Sequence, residues 1–296
     1  MKKLSLLFVT FVCLTSCFGF EYLDLSEYPD RSARVKEISV DIADKNGTIV
    51  EVGPSELECE YFFDKENSAI YTIEYNDAMQ PCYYIEKKYD ENLLLITEKV
   101  WSSTGTKTYT YKYTDDFKNL EIFCNDKVEV TGKVFTEFGK STILLNITDE
   151  EDSAAIKITT EAKILSFKDF SKIDKAERDT WYIYKNGEPY EGLIYSFVGN
   201  TKTRENYYIG EDTPYATEVT IVNEKGLPTR IVSDDGDVEN IYYKYDLYGN
   251  VVETSYYEEK NSSGFIYNKP EYKIVYDIFY TSKNPIEKPA TLYPDD

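Results

Sequence analysis

The chain predicts an all-β fold, built as an antiparallel β-meander or a hairpin-repeat sheet in two strand-rich blocks. Three observations carry that reading. Tyr occurs 29 times and Phe 15 times against 2 Met and 2 Trp, and aromatic side chains suit pleated, half-buried surfaces. Apolar residues alternate with polar ones at period two in segment after segment. No segment sustains the 3.6-residue period of an amphipathic helix.

The elements follow in order. Residues 1–16 form a secretory leader: Lys2 and Lys3 precede an apolar run from Leu4 to Leu14 that is too short to span a bilayer. Residues 17–34 are polar and irregular, with Pro29, and read as a flexible tether. The first block, 35–168, opens with Ile38, Val40 and Ile42 in alternation, then Asn46-Gly47, then Ile49 to Val52. Asn-Gly between apolar runs marks a tight hairpin, because both turn residues take positive φ.

Strands are expected at Ile70–Tyr75 and Tyr83–Tyr89 around a break at Met79–Pro81. Leu93–Trp101 and Thr106–Tyr113 enclose Gly105, and Leu120–Phe123, Val128–Phe135 and Thr142–Ile147 follow. Asp149 to Asp152 is a charged turn, and Ala155–Phe167 fits either strand or helix. Residues 169–180 are charged and lack long apolar runs, so they read as a linker or short helix. The second block, 181–283, starts at Trp181 and ends with Tyr272, Ile274, Tyr276, Ile278 and Tyr280 at period two. The tail, 284–296, carries Pro285, Pro289 and Pro294 and reads as disordered.

Composition excludes several functions. Lys and Arg number 33 against 54 Asp and Glu, a net charge of −21, so counterion release to a phosphate backbone is not available and nucleic acid is excluded as a partner. The same field opposes anionic headgroups, so membrane attachment must come through a lipid. The chain has no His, which removes Ser-His-Asp and Cys-His catalysis, His-ligated metals and an imidazole pH switch. Beyond the leader and Cys17, the cysteines are Cys59, Cys82 and Cys124. They fit no metal or redox spacing and read as buried thiols, or one bridge and one thiol. No cofactor is expected.

Leu14-Thr15-Ser16-Cys17 resembles the lipobox of bacterial lipoproteins: a branched apolar residue, two small residues and Cys. The resemblance implies cleavage before Cys17 and its acylation, hence a palmitate-type anchor in the cell envelope. Phe18, rather than Asp, follows the Cys, which favours the outer membrane, its periplasmic or surface face left open. Tyr243 to Glu253, with Tyr245-Asp246 and Gly249-Asn250, resembles the YD repeats of secreted Rhs-like proteins. Val222 to Thr229 matches it in outline through Asn223 and Gly226, and Tyr111 to Glu121 is a looser copy. Trp181 to Gly192 resembles MORN-like hairpins. The pattern fits a simple meander as well as a repeat array, and such repeats imply a scaffold rather than a chemistry.

Candidate sites follow from residue type. Asp234, Asp235, Asp237 and Glu239 pack oxygens around Gly236, the donor set Ca²⁺ would need, though a solvated acidic turn has the same composition. Tyr272, Tyr276, Tyr280 and Trp181 are candidate ligand-binding residues, since aromatic faces stack on sugars or proteins; a half-buried sheet face gives the same stripe. The expected function is a non-enzymatic, lipid-anchored envelope scaffold binding a protein or glycan partner. Two alternatives stand beside it: a glycan hydrolase using paired carboxylates, and a structural periplasmic assembly subunit.

Overall fold

A computed structural model of the protein describes residues 32–64, 69–148, 153–262 and 265–281. The leader, Cys17, nearly all of the expected tether, the charged turn at 149–152 and the tail lie outside the described residues. Among those described, nineteen β-strands and one short 3₁₀ segment account for nearly all regular structure. The all-β expectation is met, and every pairing between strands set out below is antiparallel. Within these residues no helix is long and apolar enough to cross a membrane.

Two compact units divide the chain differently from two consecutive blocks. The first joins residues up to Thr108 with those from Glu239 onward, and the second is Tyr109–Val238. In the first unit, β1 (Ser32–Lys45) makes a tight hairpin with β2 (Thr48–Glu51) through Asn46-Gly47, with φ of 60° and 82°. The meander continues as β3 (Glu56–Phe63), β4 (Ala69–Tyr75), β5 (Pro81–Tyr89) and β6 (Leu95–Ser102). β1 pairs with β3 on one side and, on the other, with the last strand among the described residues, which joins the two segments of this unit into one sheet.

The second unit runs through β7 (Gly105–Thr114), β8 (Asn119–Cys124), β9 (Lys127–Glu137), β10 (Lys140–Thr148), β11 (Ser153–Thr160), β12 (Arg178–Lys185), β13 (Glu188–Val198), β14 (Thr201–Tyr208), β15 (Ala216–Val222) and β16 (Pro228–Ser233). Each strand pairs with the next in sequence. The chain then returns to the first unit through β17 (Val238–Tyr245), β18 (Val251–Ser262) and β19 (Phe265–Thr281).

The stretch read as a linker or short helix holds most of a short 3₁₀ helix, Phe167–Lys175, and lies within the second unit. β11 and β12 pair across it, from Ala154 opposite Lys185 to Thr160 opposite Asp179. The 3₁₀ segment Phe167–Lys175 lies over the sheet, its Phe167 meeting Leu120 and Leu145 around Gly132, and Ile164 and Ile173 are buried as well. Gly132 makes room for it: a Cβ there would sit 2.8 Å from Phe167 Cζ. Serine hydroxyls and backbone tie the segment down, through Ile164 N–H to Ser141 Oγ at 2.9 Å and Phe167 N–H to the Phe117 carbonyl at 2.8 Å. Charge made this stretch look like a boundary. Its apolar residues cap the sheet.

The repeat-like hairpins share one turn. Asp246 Oδ1 accepts the backbone N–H of Tyr248 and Asn250, while its own N–H reaches the Asn250 carbonyl. Asn223 does the same with Lys225 and Leu227. So do Asn76 with Ala78 and Gln80, and Asp90 with Asn92 and Leu94. In each case the strand register shifts by one residue beside the turn. A side-chain oxygen satisfying two turn N–H groups explains why Asp or Asn opens every copy. The fourth turn position takes positive φ, supplied by Gly226 and Gly249 but also by Met79 (54°) and Leu93 (60°). The Tyr111 to Glu121 segment is a different turn, with Asp115, Asp116 and Phe117 all at positive φ.

Candidate ligand-binding face

β19 carries the period-two tyrosines and pairs with both β1 and β18, so the register shows where each points. Tyr280, Ile278, Tyr276, Ile274 and Tyr272 stand opposite Ala33, Val35, Glu37, Ser39 and Asp41. This is the covered face. Tyr276 is buried, as are Ala33, Val35, Ile241 and Thr254 alongside it. Tyr272 stacks on Tyr256 at 4.4 Å between ring centroids, 13° from parallel. The Tyr280 hydroxyl donates to Asp246 Oδ2 and accepts from Asn250 Nδ2, each at 2.6 Å. Burial raises the pKa of both Tyr272 and Tyr280, with Glu239 adding to the first and Asp246 to the second. These three tyrosines hold the sheet together, and their rings are engaged with it. Trp181, the fourth candidate, lies in the second unit, opposite Ile158 and Leu193, with its ring against Tyr195 at 5.3 Å.

The reverse face of the same strands is different. Asn240 and Tyr242 on β17, Tyr257 on β18 and Asn268 on β19 share it. Asn240 Nδ2 donates to Asn268 Oδ1 at 3.1 Å, and Asn268 Nδ2 donates to the Tyr242 hydroxyl at 3.1 Å. The Tyr242 ring, 51% exposed, meets Tyr257 edge-on at 5.2 Å. A bulge between Tyr256 and Tyr257 brings Pro270 opposite Tyr257 and Asn268 opposite Glu259. Without that shift Asn268 would not share a face with Tyr242. Beyond it, Phe265, Ile266 and Tyr267 at the start of β19 are exposed.

This face presents hydrogen-bonding groups and an exposed ring together. An amide offers two donors and an acceptor with two lone pairs, more than the one bond Asn240 makes here or the two Asn268 makes. Having accepted from Asn268, the Tyr242 hydroxyl still has its own proton to donate. An exposed ring beside fixed amides supplies stacking and direction together. The candidate residues Tyr272, Tyr276 and Tyr280 lie on the covered face of β19. The signal for the other face was the pair of amides, Asn240 and Asn268, inside strands where such residues are disfavoured.

A second constellation lies farther along the covered face of the first unit. Glu37, Cys59 and Glu74 align across β1, β3 and β4, flanked by Tyr61, Lys87 and Glu98. The Tyr61 hydroxyl donates to Glu37 Oε2 at 2.9 Å, and Lys87 Nζ stands 3.7 Å from Glu98 Oε2. Burial raises the Glu37 carboxyl, the Tyr61 bond opposes the rise, and Glu58 repulsion adds to it. Burial likewise raises Glu74, with Lys87 opposing and Glu98 adding. The Cys59 thiol is pushed up to about 12, chiefly by burial. Such a thiol is a poor nucleophile. Cys59, Cys82 and Cys124 are all free thiols.

On the other side of β3, Glu60 is buried and accepts from Arg34 Nε at 2.9 Å and from the Tyr75 hydroxyl at 3.1 Å, with Lys36 Nζ at 3.9 Å. Beside it Phe62, Ile73, Tyr84 and Trp101 form an aromatic-rich cluster, with Tyr84 and Trp101 centroids 5.1 Å apart.

The acidic loop does not gather a metal site. Asp234, Asp235 and Asp237 are exposed in a turn that Ser233 and Gly236 close through backbone bonds, and Asp235 Oδ1 accepts the Asp237 N–H. Glu239 is on β17, its pKa raised by burial and by Glu271. Among the described residues no three Asp, Glu or Cys side chains are arranged to hold a metal ion. The composition of the loop follows from the turn it makes.

No protein-family model matches the chain, and no curated protein matches it. Among solved structures, it is similar to a porin-like protein from Bacteroides uniformis ATCC 8492, at 11% identity over 82% of this chain and 96% of that one, TM-score 0.39. MucB in complex with MucA(peri) aligns at 7% identity over 87% of this chain and 92% of that one, TM-score 0.13. Neither superposition is close enough to carry an argument, and the fold stands on the strand pairings described above.

Proposed function

We propose that this protein is a lipid-anchored component of the bacterial cell envelope, a non-enzymatic β scaffold that binds an uncharged glycan. The outward chain of Asn240, Asn268 and Tyr242, with Tyr257 against its ring, is the observation that carries the binding reading. Anchoring is supported by the leader and by Leu14-Thr15-Ser16-Cys17, and the outer membrane by Phe18. The scaffold role is supported by the shared turns, each of which fixes a hairpin through its own Asp or Asn. A net charge of −21 disfavours acidic polymers as ligands.

The test is saturable binding of the purified protein to immobilised neutral oligosaccharides, with polyanionic glycans as the comparison. Saturation on neutral glycans alone supports the reading. Turnover of any of them would make the protein a hydrolase instead, and silence on all of them would remove the ligand class.

A further inference from the structure

We propose that the end of the first unit where the chain enters at Ser32 rests on the lipid surface, with Leu247 and Tyr248 as its contact. This rests on the anchoring reading above. The lipid would sit on Cys17, and the chain between it and Ser32 spans about 50 Å at most when fully extended. The tether joins the sheet at its Ser32 end.

Strand direction identifies what else is at that end. Ala33 pairs with Tyr280, and the Tyr280 hydroxyl is bonded to both Asp246 and Asn250. The β17–β18 turn is thus fixed within one residue pair of the entry point. At this turn, Leu247 is 84% exposed. In the sister turns the same position holds Asp77, Glu91 and Glu224, the side chains expected at a solvated tip. Leu247 is the departure. Tyr248 beside it packs edge-on against Tyr280 at 5.5 Å. The β5–β6 turn reaches the same end of the sheet with the charged Glu91 at its tip and Leu93 50% exposed, so Leu247 is the apolar tip of the two.

Phe265 and Ile266 also stand out, at 78% and 66% exposed, but they start β19, whose opposite terminus pairs with the entry point. They belong at the far end, beside Asn268 and the ligand face. A lipid surface is the occupant of the near end because the anchor brings it there. Exposed aliphatic tips enter the interface without basic residues, so zwitterionic lipid is the appropriate probe.

The experiment uses the lipidated full-length protein in phosphatidylcholine vesicles whose acyl chains carry bromine. Leu247→Trp and Ile266→Trp are compared, with the signal of Trp101 and Trp181 subtracted using the parent protein. The expected result is co-flotation of both variants and at least twofold stronger bromine quenching at 247 than at 266. Co-flotation with equal quenching, with none, or with the order reversed would overturn the proposed contact. Failure to float would overturn the anchor itself and the contact with it.

Discussion

The Tyr280 hydroxyl donates to Asp246 Oδ2 at 2.6 Å, joining the last strand to a turn 34 residues earlier in the chain. The other carboxylate oxygen of Asp246 accepts two backbone N–H groups of its own turn. One side chain therefore closes a hairpin and clamps it to the strand that pairs with β1.

Replacing Asp246 with Ala removes three hydrogen bonds and leaves Tyr280 and two turn amides to find water. Bonds to a charged acceptor contribute about 1.5–3 kcal/mol each when buried, and partial exposure here reduces that. The expected loss is about 2 kcal/mol in urea unfolding, with Asn76→Ala costing less because its side-chain oxygen accepts only from amides of its own turn. Equal losses for the two variants would contradict the clamp.

Leu93 occupies the positive-φ position that Gly226 and Gly249 fill in sister turns. A branched side chain there carries a conformational cost that glycine avoids. Leu93→Gly is expected to stabilise the protein by about 0.5–1 kcal/mol, although it deletes apolar surface. Destabilisation on thermal unfolding would show that the leucine side chain makes contacts the turn needs.

Glu37 has a folded-state pKa above its ordinary value of 4.5, first because of burial. Between that value and the raised one, the folded state holds more protons than the unfolded state. This group therefore costs stability as pH rises through that window, and the cost is complete above it. Glu37→Gln can keep the bond from Tyr61 while removing the charge. Its Tm should exceed the parent's by a few degrees at neutral pH, with the difference closing as the pH falls towards 4.5. A lower Tm at neutral pH would show that the carboxylate is paired more strongly than the geometry indicates.

The strands were legible because Tyr, Ile and Val alternate, and the Asn46-Gly47, Asn223 and Asp246 turns because their residues state their geometry. The Asn76 and Asp90 turns were less so, since Met79 and Leu93 stand where glycine would announce positive φ. Period two places Tyr272, Tyr276 and Tyr280 on one face but cannot say which face is covered; that depends on β1 and β18 arriving beside them. The Asn240–Asn268–Tyr242 chain was hidden for a related reason. Its members come from separate strands, and the bulge at Tyr256/Tyr257 that sets their register has no glycine to mark it. Residues 169–180 were legible only as a linker or short helix, because charge dominates their composition while Ile173, with Ile164 and Phe167 just before them, is buried.

The most direct test compares neutral-glycan binding by the parent with Tyr242→Ala, Asn268→Ala and Tyr272→Phe. The first two alter the outward face, and the third is on the covered one. Stacking and directed neutral hydrogen bonds of this kind are worth about 0.5–1.5 kcal/mol each, so the first two variants should each weaken binding by about twofold to tenfold. Tyr272→Phe should bind like the parent. Binding lost with Tyr272→Phe but kept with Tyr242→Ala would contradict the account and return the ligand to the opposite face.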